Sequence, residues 1–566
     1  MAMVALVSVF LFGTVVAISL NDDFGRLEVT KVSIPNGALE LSGLLYRPRY
    51  VSEAAPAPGI VLAHGLSEAK QMMSGIALEL ARNGFVALAV DLLGHGNSDG
   101  KLSQGNEDHS LGVVAAVRYL QSLSYVDHRI GLVGHSLGGG AIRAAAANCT
   151  NIHACVFIGG GLGSMVSEPE YGYLNTTFPK NLLIVVGKYD VLFNLTELET
   201  EQLLPVFGTS DEVIPNGVYG NFSLSTARKL VIPSTTHLFE PIDPLVVSEA
   251  VSWMTYSLKS GDALAARVEI GSAYLLREFA IVTSLVAFVG IVLVLSLSLC
   301  ERLHGGVRRE TTGEQYGALE GWKVFLAWGL LGLLLFLPMS FVGSQIPFPP
   351  MVFGGSIAWW MLATSLVGLL VLMFLAPRFS SVRLKIGSIL SESFSRRGLI
   401  TAFVLFGFMF AVAGALQILF VTDLRILVPI FNILWPPIRI LMLLAFLPFF
   451  FAYFFVEGLF LHRLRKRNQR TGVLFEIQDV LKVIMIKVGP FVALICLQYL
   501  PWVLLGFPLF PGMVGFLMEF LWLFVPIFAI STACSWWFYR NTSSMGLGVI
   551  FNALIFAWVA AVVFPF

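Results

Sequence analysis

Ser136, Asp190 and His237 stand far apart in the chain, yet together they are the residue types that can cleave a carboxylic ester. A serine hydroxyl is protonated at neutral pH and attacks a carbonyl poorly unless a neutral imidazole takes its proton. A carboxylate on the other ring nitrogen then fixes the tautomer and stabilises the imidazolium. The surroundings of Ser136 suit this task. The run Arg129-Ile-Gly-Leu-Val-Gly-His-Ser-Leu-Gly-Gly-Gly140 reads as a short apolar strand, then Gly134-His135-Ser136-Leu137-Gly138, then a small-residue helix from Ala141 to Ala147. Gly-x-Ser-x-Gly between a strand and a helix is the nucleophile elbow. Its turn is too tight for side chains two residues either side of the serine. It leaves the hydroxyl at a helix N-terminus, where backbone N–H groups favour developing negative charge. Five residues alone fit a glycine-rich turn with an incidental serine equally well, so the surrounding elements must decide.

Those elements alternate. Leu27 to Ile34, the turn Pro35-Asn36-Gly37, and Leu39 to Tyr46 have the period of an antiparallel hairpin. Gly59 to Ala63 is wholly apolar, as expected of a strand covered on both faces. A helix over Met72–Arg82, a strand over Phe85–Val90, the turn Gly94-His-Gly-Asn-Ser98 and a helix over Leu111–Leu123 follow. After the elbow come strands at Ala154–Ile158, at Leu182–Val186 leading to Asp190, and at Lys229–Ile232 leading to His237. Asp243-Pro244 opens a closing helix, with aspartate as N-cap and proline at the first position. The pattern predicts a mostly parallel sheet with helices on both faces.

With serine, acid and histidine in that order, each at the end of a strand, residues 27 to 258 or so resemble the α/β-hydrolase superfamily in its esterase/lipase branch. The resemblance implies that His64-Gly65 belongs to the oxyanion loop, with the backbone N–H groups of Leu66 and Leu137 as donors. Asp91-Leu-Leu-Gly-His-Gly-Asn-Ser-Asp99 is similar to the Gly-His-Gly turn of these esterases. His64 and His95 are expected to shape loops, and His135 to pack beside the elbow. Asp91 and Asp99 are rival acids. Glu240 and Asp243 lie near His237 in a pattern that could hold a metal, but capping accounts for Asp243, and no metal or cofactor is expected. The segments Gly161–Lys180 and Val191–Ala227 follow strands on the serine's edge and are expected to shape the pocket as lids.

Composition separates this region from the remainder. Of 566 residues, 56% are hydrophobic and only 13% charged, against about a quarter charged in ordinary globular domains. The net charge is zero, and nothing points to nucleic acid. Five cysteines are too few for a disulfide framework; Cys149 and Cys155 are close enough in sequence to pair on an oxidising side, but read rather as two buried free thiols. Residues 1–20 form an apolar stretch long enough to span a bilayer, read as an anchor or, if cleaved, a signal peptide. A hydrolase domain over 21–262, a linker over 263–277 with a helix from Leu264 to Leu276, and an all-α polytopic membrane domain over 278–566 complete the organisation. Eight apolar segments fall near 278–299, 324–346, 352–376, 399–421, 438–460, 487–509, 513–537 and 546–565.

Arg302, Arg308 and Arg309, the basic groups between Arg378 and Arg397, those between Arg463 and Arg470, and Arg540 all fall on one side if every segment spans. That is the positive-inside pattern, and it sets the hydrolase domain outside the cell membrane. The sequons at Asn148, Asn175, Asn194 and Asn221 would lie on that outer side, and the one at Asn541 on the other. Gln417, Arg439 and Glu519 map to the outer halves of their segments, and Gln498 lies nearer the middle. A lone charge in hydrocarbon costs roughly 3 kcal/mol, so Arg439 and Glu519 are expected to pair across helices and line a polar cavity below the serine. Trp435-Pro436-Pro437 should leave Ile426 to Leu434 as a re-entrant or interfacial piece. The expected substrate is an ester, hydrophobic or lipid-linked, met at a membrane lipid surface. A serine peptidase, an acyltransferase, or a transporter with a hydrolase-like ectodomain remain alternatives, and the oligomeric state is not legible.

Overall fold

The computed structural model describes all residues except 104–108, 163–171, 260–267, 269, 305–320, 375–385 and 464–471. Helix α1 (Ala2–Asn21) leads into a nine-stranded sheet. Its strands are β1 (Leu27–Asn36), β2 (Leu39–Pro48), β3 (Ala57–Ala63), β4 (Val86–Val90), β5 (Val126–His135), β6 (Ile152–Ile158), β7 (Leu182–Val185), β8 (Val218–Tyr219) and β9 (Arg228–Val231). They lie in the order β1-β2-β4-β3-β5-β6-β7-β9-β8. β1 pairs with β2, and β2 with β4, in antiparallel fashion; from β4 to β9 every pairing is parallel. The edge strand β8, too short to leave a periodic signal, pairs antiparallel with β9. Helices α2 (Ser74–Arg82), α3 (Val113–Gln121), α4 (Leu137–Asn148) and α5 (Pro244–Lys259) cover the sheet. Two buried clusters, one per face, account for the unbroken apolar run of β3, which has no solvent-facing side. The N-cap of α5 is as expected: Asp243 Oδ1 accepts from the N–H groups of Leu245 and Val246.

The remainder is helical: α6 (Ala273–His304), α7 (Gly321–Ser344), α8 (Gly354–Phe374), α9 (Arg396–Phe420), α10 (Ile438–Gly458), α11 (Val473–Leu505), α12 (Gly512–Glu519), α13 (Leu521–Thr542) and α14 (Gly546–Val563). Among the described residues, nine helices are long and apolar enough to cross a membrane, counting α1 and taking α12 with α13. α11 begins well before the expected 487 because its first turns are not wholly apolar, and a hydropathy window discards them. Part of the expected linker helix lies outside the described residues, and the helix there starts only at Ala273. Ile426 to Leu434 is mostly a hairpin, β10 (Leu424–Ile426) with β11 (Val428–Phe431). α1 runs along α6, and Asn21 Oδ1 at its end accepts from Tyr46 Oη in the sheet and from Arg277 in α6.

The strand ends that carry Ser136 and His237 face the helical half. Tyr189 meets Trp502 edge-on, Phe239 meets Trp522 and His237 meets Phe516. The amide N–H of Gly512 donates to Val191 O, and Asn97 Oδ1 accepts from Asn432. The sheet is thus docked on the helices by its serine-bearing edge.

Candidate active site

β5 delivers Ser136 and α4 begins immediately after it. Ser136 has φ 51° and ψ −116°, a conformation few L-residues adopt. It is held because the strands and glycines around it leave no alternative. The N–H of Ser136 donates to Ile158 O at 2.8 Å. A Cβ on Gly134 would lie 2.3 Å from Gly138 O, and one on Gly138 would lie 2.3 Å from Ala63 O. Both elbow glycines are therefore required by space.

Three side chains meet there in a line. Ser136 Oγ lies 2.9 Å from His237 Nε2, and His237 Nδ1 lies 2.8 Å from Asp190 Oδ2. Asp190 follows β7, and its Oδ1 also accepts from the N–H of Leu192. His237 and Asp190 are almost fully buried. Burial opposes protonation of His237, but the adjacent Asp190 carboxylate outweighs it and holds the imidazole above its ordinary value. Asp91 is not a rival acid. It is buried against Lys70 Nζ, and its oxygens accept from the N–H groups of Lys70 and Asn97. Burial alone would raise its pKa, yet Lys70 holds it below the usual carboxylate range. Asp99 instead accepts from the N–H of Glu40 at the end of the sheet hairpin.

A second buried layer stands behind the first. His135 does more than pack: its Nδ1 lies 3.1 Å from Glu68 Oε2, and its Nε2 lies 3.1 Å from the carbonyl oxygen of His237. Glu68 Oε2 also accepts from the N–H of Gly65 at 2.7 Å. One carboxylate therefore ties the loop after β3 to the elbow, and through His135 to the backbone of the histidine. Burial disfavours the charged His135, but Glu68 and Glu240 together push it up to about 10. Glu240 accepts from the N–H of Gly187 at 2.6 Å, and burial with the nearby Asp190 charge raises its pKa. Ligand atoms of His135, His237 and Glu240 lie within 4.8 Å of one another. The two rings are already engaged, and Asp243 caps α5 instead of joining them. His64 shapes its loop as expected, accepting from the N–H of Leu92 through Nε2. His95 Nδ1 lies 3.0 Å from Leu93 O, and burial pushes its pKa down to about 3. Sequence reasoning missed Glu68; its one signal is a carboxylate two residues after His64-Gly65-Leu66, in the loop expected to form the oxyanion hole.

A cavity of about 30 Å³ adjoins Ser136. Leu66, Ser67 and Glu68 line it on the sheet side, and Val428, Phe516, Glu519, Phe520 and Leu523 on the helical side. Leu137, the other expected donor, opens α4 next to Ser136. Neither expected lid contributes a described residue to this cavity. Residues 163–171 of the first lie outside the described ones, while Leu198, Leu203, Val206 and Phe207 of the second are buried in the core. The roof comes from α12 and α13.

The expected Arg439–Glu519 pair does not form. Glu519 accepts from Tyr499 Oη and from Thr236 Oγ1, next to His237. Arg439 Nη1 donates to the carbonyls of Ala561, Val562 and Phe564, and Nη2 to that of Gly94. A cation is favoured at the C-terminus of α14, where carbonyls lack helical partners, and that site competes better than a distant carboxylate. Gln417 turns to the hairpin, donating to Phe431 O and accepting from the N–H of Ile433. Of the three, Glu519 alone lines the serine's cavity. Gln498 likewise serves the backbone, bonding both polar groups of Phe510. Cys149 is only half-buried, while Cys155 is buried, and both are free thiols.

Residues 60–254 match the model of the alpha/beta hydrolase family. An uncharacterised protein of Mycobacterium tuberculosis is 39% identical over 88 residues, 15% of this chain and 24% of that protein. The chain thus spans about a quarter of the length of the curated relatives it matches. Among solved structures, a dienelactone hydrolase from Anabaena variabilis is 22% identical, with a TM-score of 0.30 over 41% of this chain and 99% of that one. An esterase from Pyrococcus furiosus is 18% identical, with a TM-score of 0.32 over 41% of this chain and 94% of that one.

Proposed function

We propose that the alpha/beta hydrolase domain matched over residues 60–254 is a serine esterase that acts on hydrophobic or lipid-linked esters at the surface of its own membrane domain. The observation that carries this reading is the line from Ser136 Oγ through His237 to Asp190, ending at a cavity roofed by membrane-half side chains. Ser136 attacks the ester carbonyl as His237 Nε2 accepts its proton, and Asp190 stabilises the imidazolium. The N–H groups of Leu66 and Leu137 hold the oxyanion, each worth roughly 3 kcal/mol in the transition state. His237 returns the proton to the departing alcohol, and water then cleaves the acyl-enzyme by the same steps in reverse.

Basic loops on one side and the apolar N-terminal helix favour a catalytic domain outside the cell membrane. All four outer-side sequons are exposed. A cysteine near residue 210 should then react with an impermeant thiol reagent in intact cells, and one near residue 468 should not; the reverse pattern inverts the arrangement. The activity is tested with purified full chain and a soluble butanoyl ester. Hydrolysis that vanishes in Ser136→Ala supports the reading, and hydrolysis that persists in that variant refutes it.

A further inference from the structure

The cavity at Ser136 has a neighbour deeper in the helical half. That second cavity, also about 30 Å³, is lined by Ile430 and Phe431 of β11, by Ile527, Ile530 and Cys534 of α13, and by residues of α6, α9 and α14. Two elements wall both cavities in sequence. Along α13, Leu523 borders the first and Ile527 the second, one helical turn apart on the same face. Along β11, Val428 borders the first and Ile430 the second, again on one face, because alternate strand residues point the same way. The two spaces thus follow one another along α13 and β11, with Leu523 and Val428 at the serine end and Ile527 and Ile430 beyond them. The few polar groups in the deep cavity are already satisfied: Asn552 Nδ2 donates to Ser531 O and to Ser535 Oγ, and Ser531 Oγ to Phe528 O. What faces the space is apolar.

We infer that the two cavities are one acyl site, with the ester carbonyl at Ser136 and the acyl chain running along α13 into the membrane domain. This deepens the esterase reading and rests on it. The apolar, membrane-embedded walls select a long unbranched acyl chain, one methylene wide, which opens the slit by turning Leu523 aside. From Leu523 to Cys534 the helix rises ~16 Å, a path far longer than a butanoyl group needs. Because each cavity measures only about 30 Å³, a long acyl chain must part the side chains along that path as it enters. Length selection then resides in the membrane helices and not in the hydrolase fold.

Esters of one alcohol with acyl parts from butanoyl to hexadecanoyl test this, assayed on the full chain in detergent. Wild type should favour the long acyl parts. Ile527→Trp, nearest Ser136, should lower kcat/KM for hexadecanoyl relative to butanoyl ester by on the order of tenfold or more, the effect of withdrawing two buried methylenes. Cys534→Trp, ~10 Å deeper, should move the optimum to intermediate lengths. A graded cut-off that follows position along α13 supports the site, and misfolding cannot produce it. A long-chain fluorophosphonate bearing a terminal diazirine gives a second readout on unaltered protein: crosslinks between Ile527 and Cys534 support the site. Butanoyl hydrolysis with no preference for length, or variants with an unchanged length profile, or crosslinks confined to the hydrolase domain, would overturn it while the esterase reading stands. If the folded wild type hydrolyses no ester of the series, both fall.

Discussion

The serine site and the Arg439 site bury polar groups to similar depth and use them in opposite ways. Around Ser136 the side chains bond one another, from Ser136 through His237 to Asp190 and from Glu68 to His135, and the hydroxyl faces a cavity. Around Arg439 the terminal nitrogens end on backbone carbonyls of Gly94 and the end of the last helix. The first arrangement holds a proton that can move. The second closes a helix end and clamps the two halves together. Burial of charge alone therefore does not mark a site; what the charge is bonded to does.

Substitutions should separate the two, the largest effect coming at the serine. Ser136→Ala and His237→Ala should each reduce ester turnover by about a millionfold with the melting temperature retained, and Asp190→Asn by about ten-thousandfold. Near-wild-type turnover in Asp190→Asn would break the proton relay described above. Arg439→Ala should do the reverse. It strips partners from buried carbonyls at roughly 1–3 kcal/mol each, lowering thermal stability and reducing hydrolysis of short and long esters by the same factor. Selective loss on long esters would restore the substrate-lining role that the geometry withholds from Arg439.

The contrast also explains what the sequence could disclose. Period-two and wholly apolar strands and the elbow spacing are local signals, each read within a few residues, and the order Ser136, Asp190, His237 is read from three such strand ends; the fold places them as expected. The roof is not local. Glu519 meets Thr236 across 283 positions, and Arg439 meets Gly94 across 345. Hydropathy fixed the depth of these residues, not their partners, so two charges at similar depth looked like a pair. The apolar segment after Val191 looked like a lid because core and lid residues share one composition.

A smaller effect is expected behind the triad. Glu68→Gln keeps an acceptor for the N–H of Gly65 but removes the nearer of the two carboxylates facing His135, leaving Glu240 alone. Breaking a buried pair costs roughly 3–5 kcal/mol, so thermal melting should fall while slow turnover persists. An unchanged melting point would show that the Glu68–His135 contact carries little. The finest discriminator is pH. His237 must be neutral to accept the proton, so kcat/KM on a soluble ester should rise with pH through a midpoint above the ordinary ~6.5 of imidazole, because Asp190 outweighs burial. Asp190→Asn leaves only the opposing influence of burial prominent and should move the residual activity's midpoint to lower pH. A midpoint unmoved by that change would detach Asp190 from His237.

Labelling by a fluorophosphonate tests the central claim most directly, because it needs no knowledge of the substrate. With the full chain folded in detergent, peptide mapping should find a single adduct on Ser136, and the adduct should vanish in His237→Ala. A folded chain that stays unlabelled, or one labelled at another serine, would contradict the account.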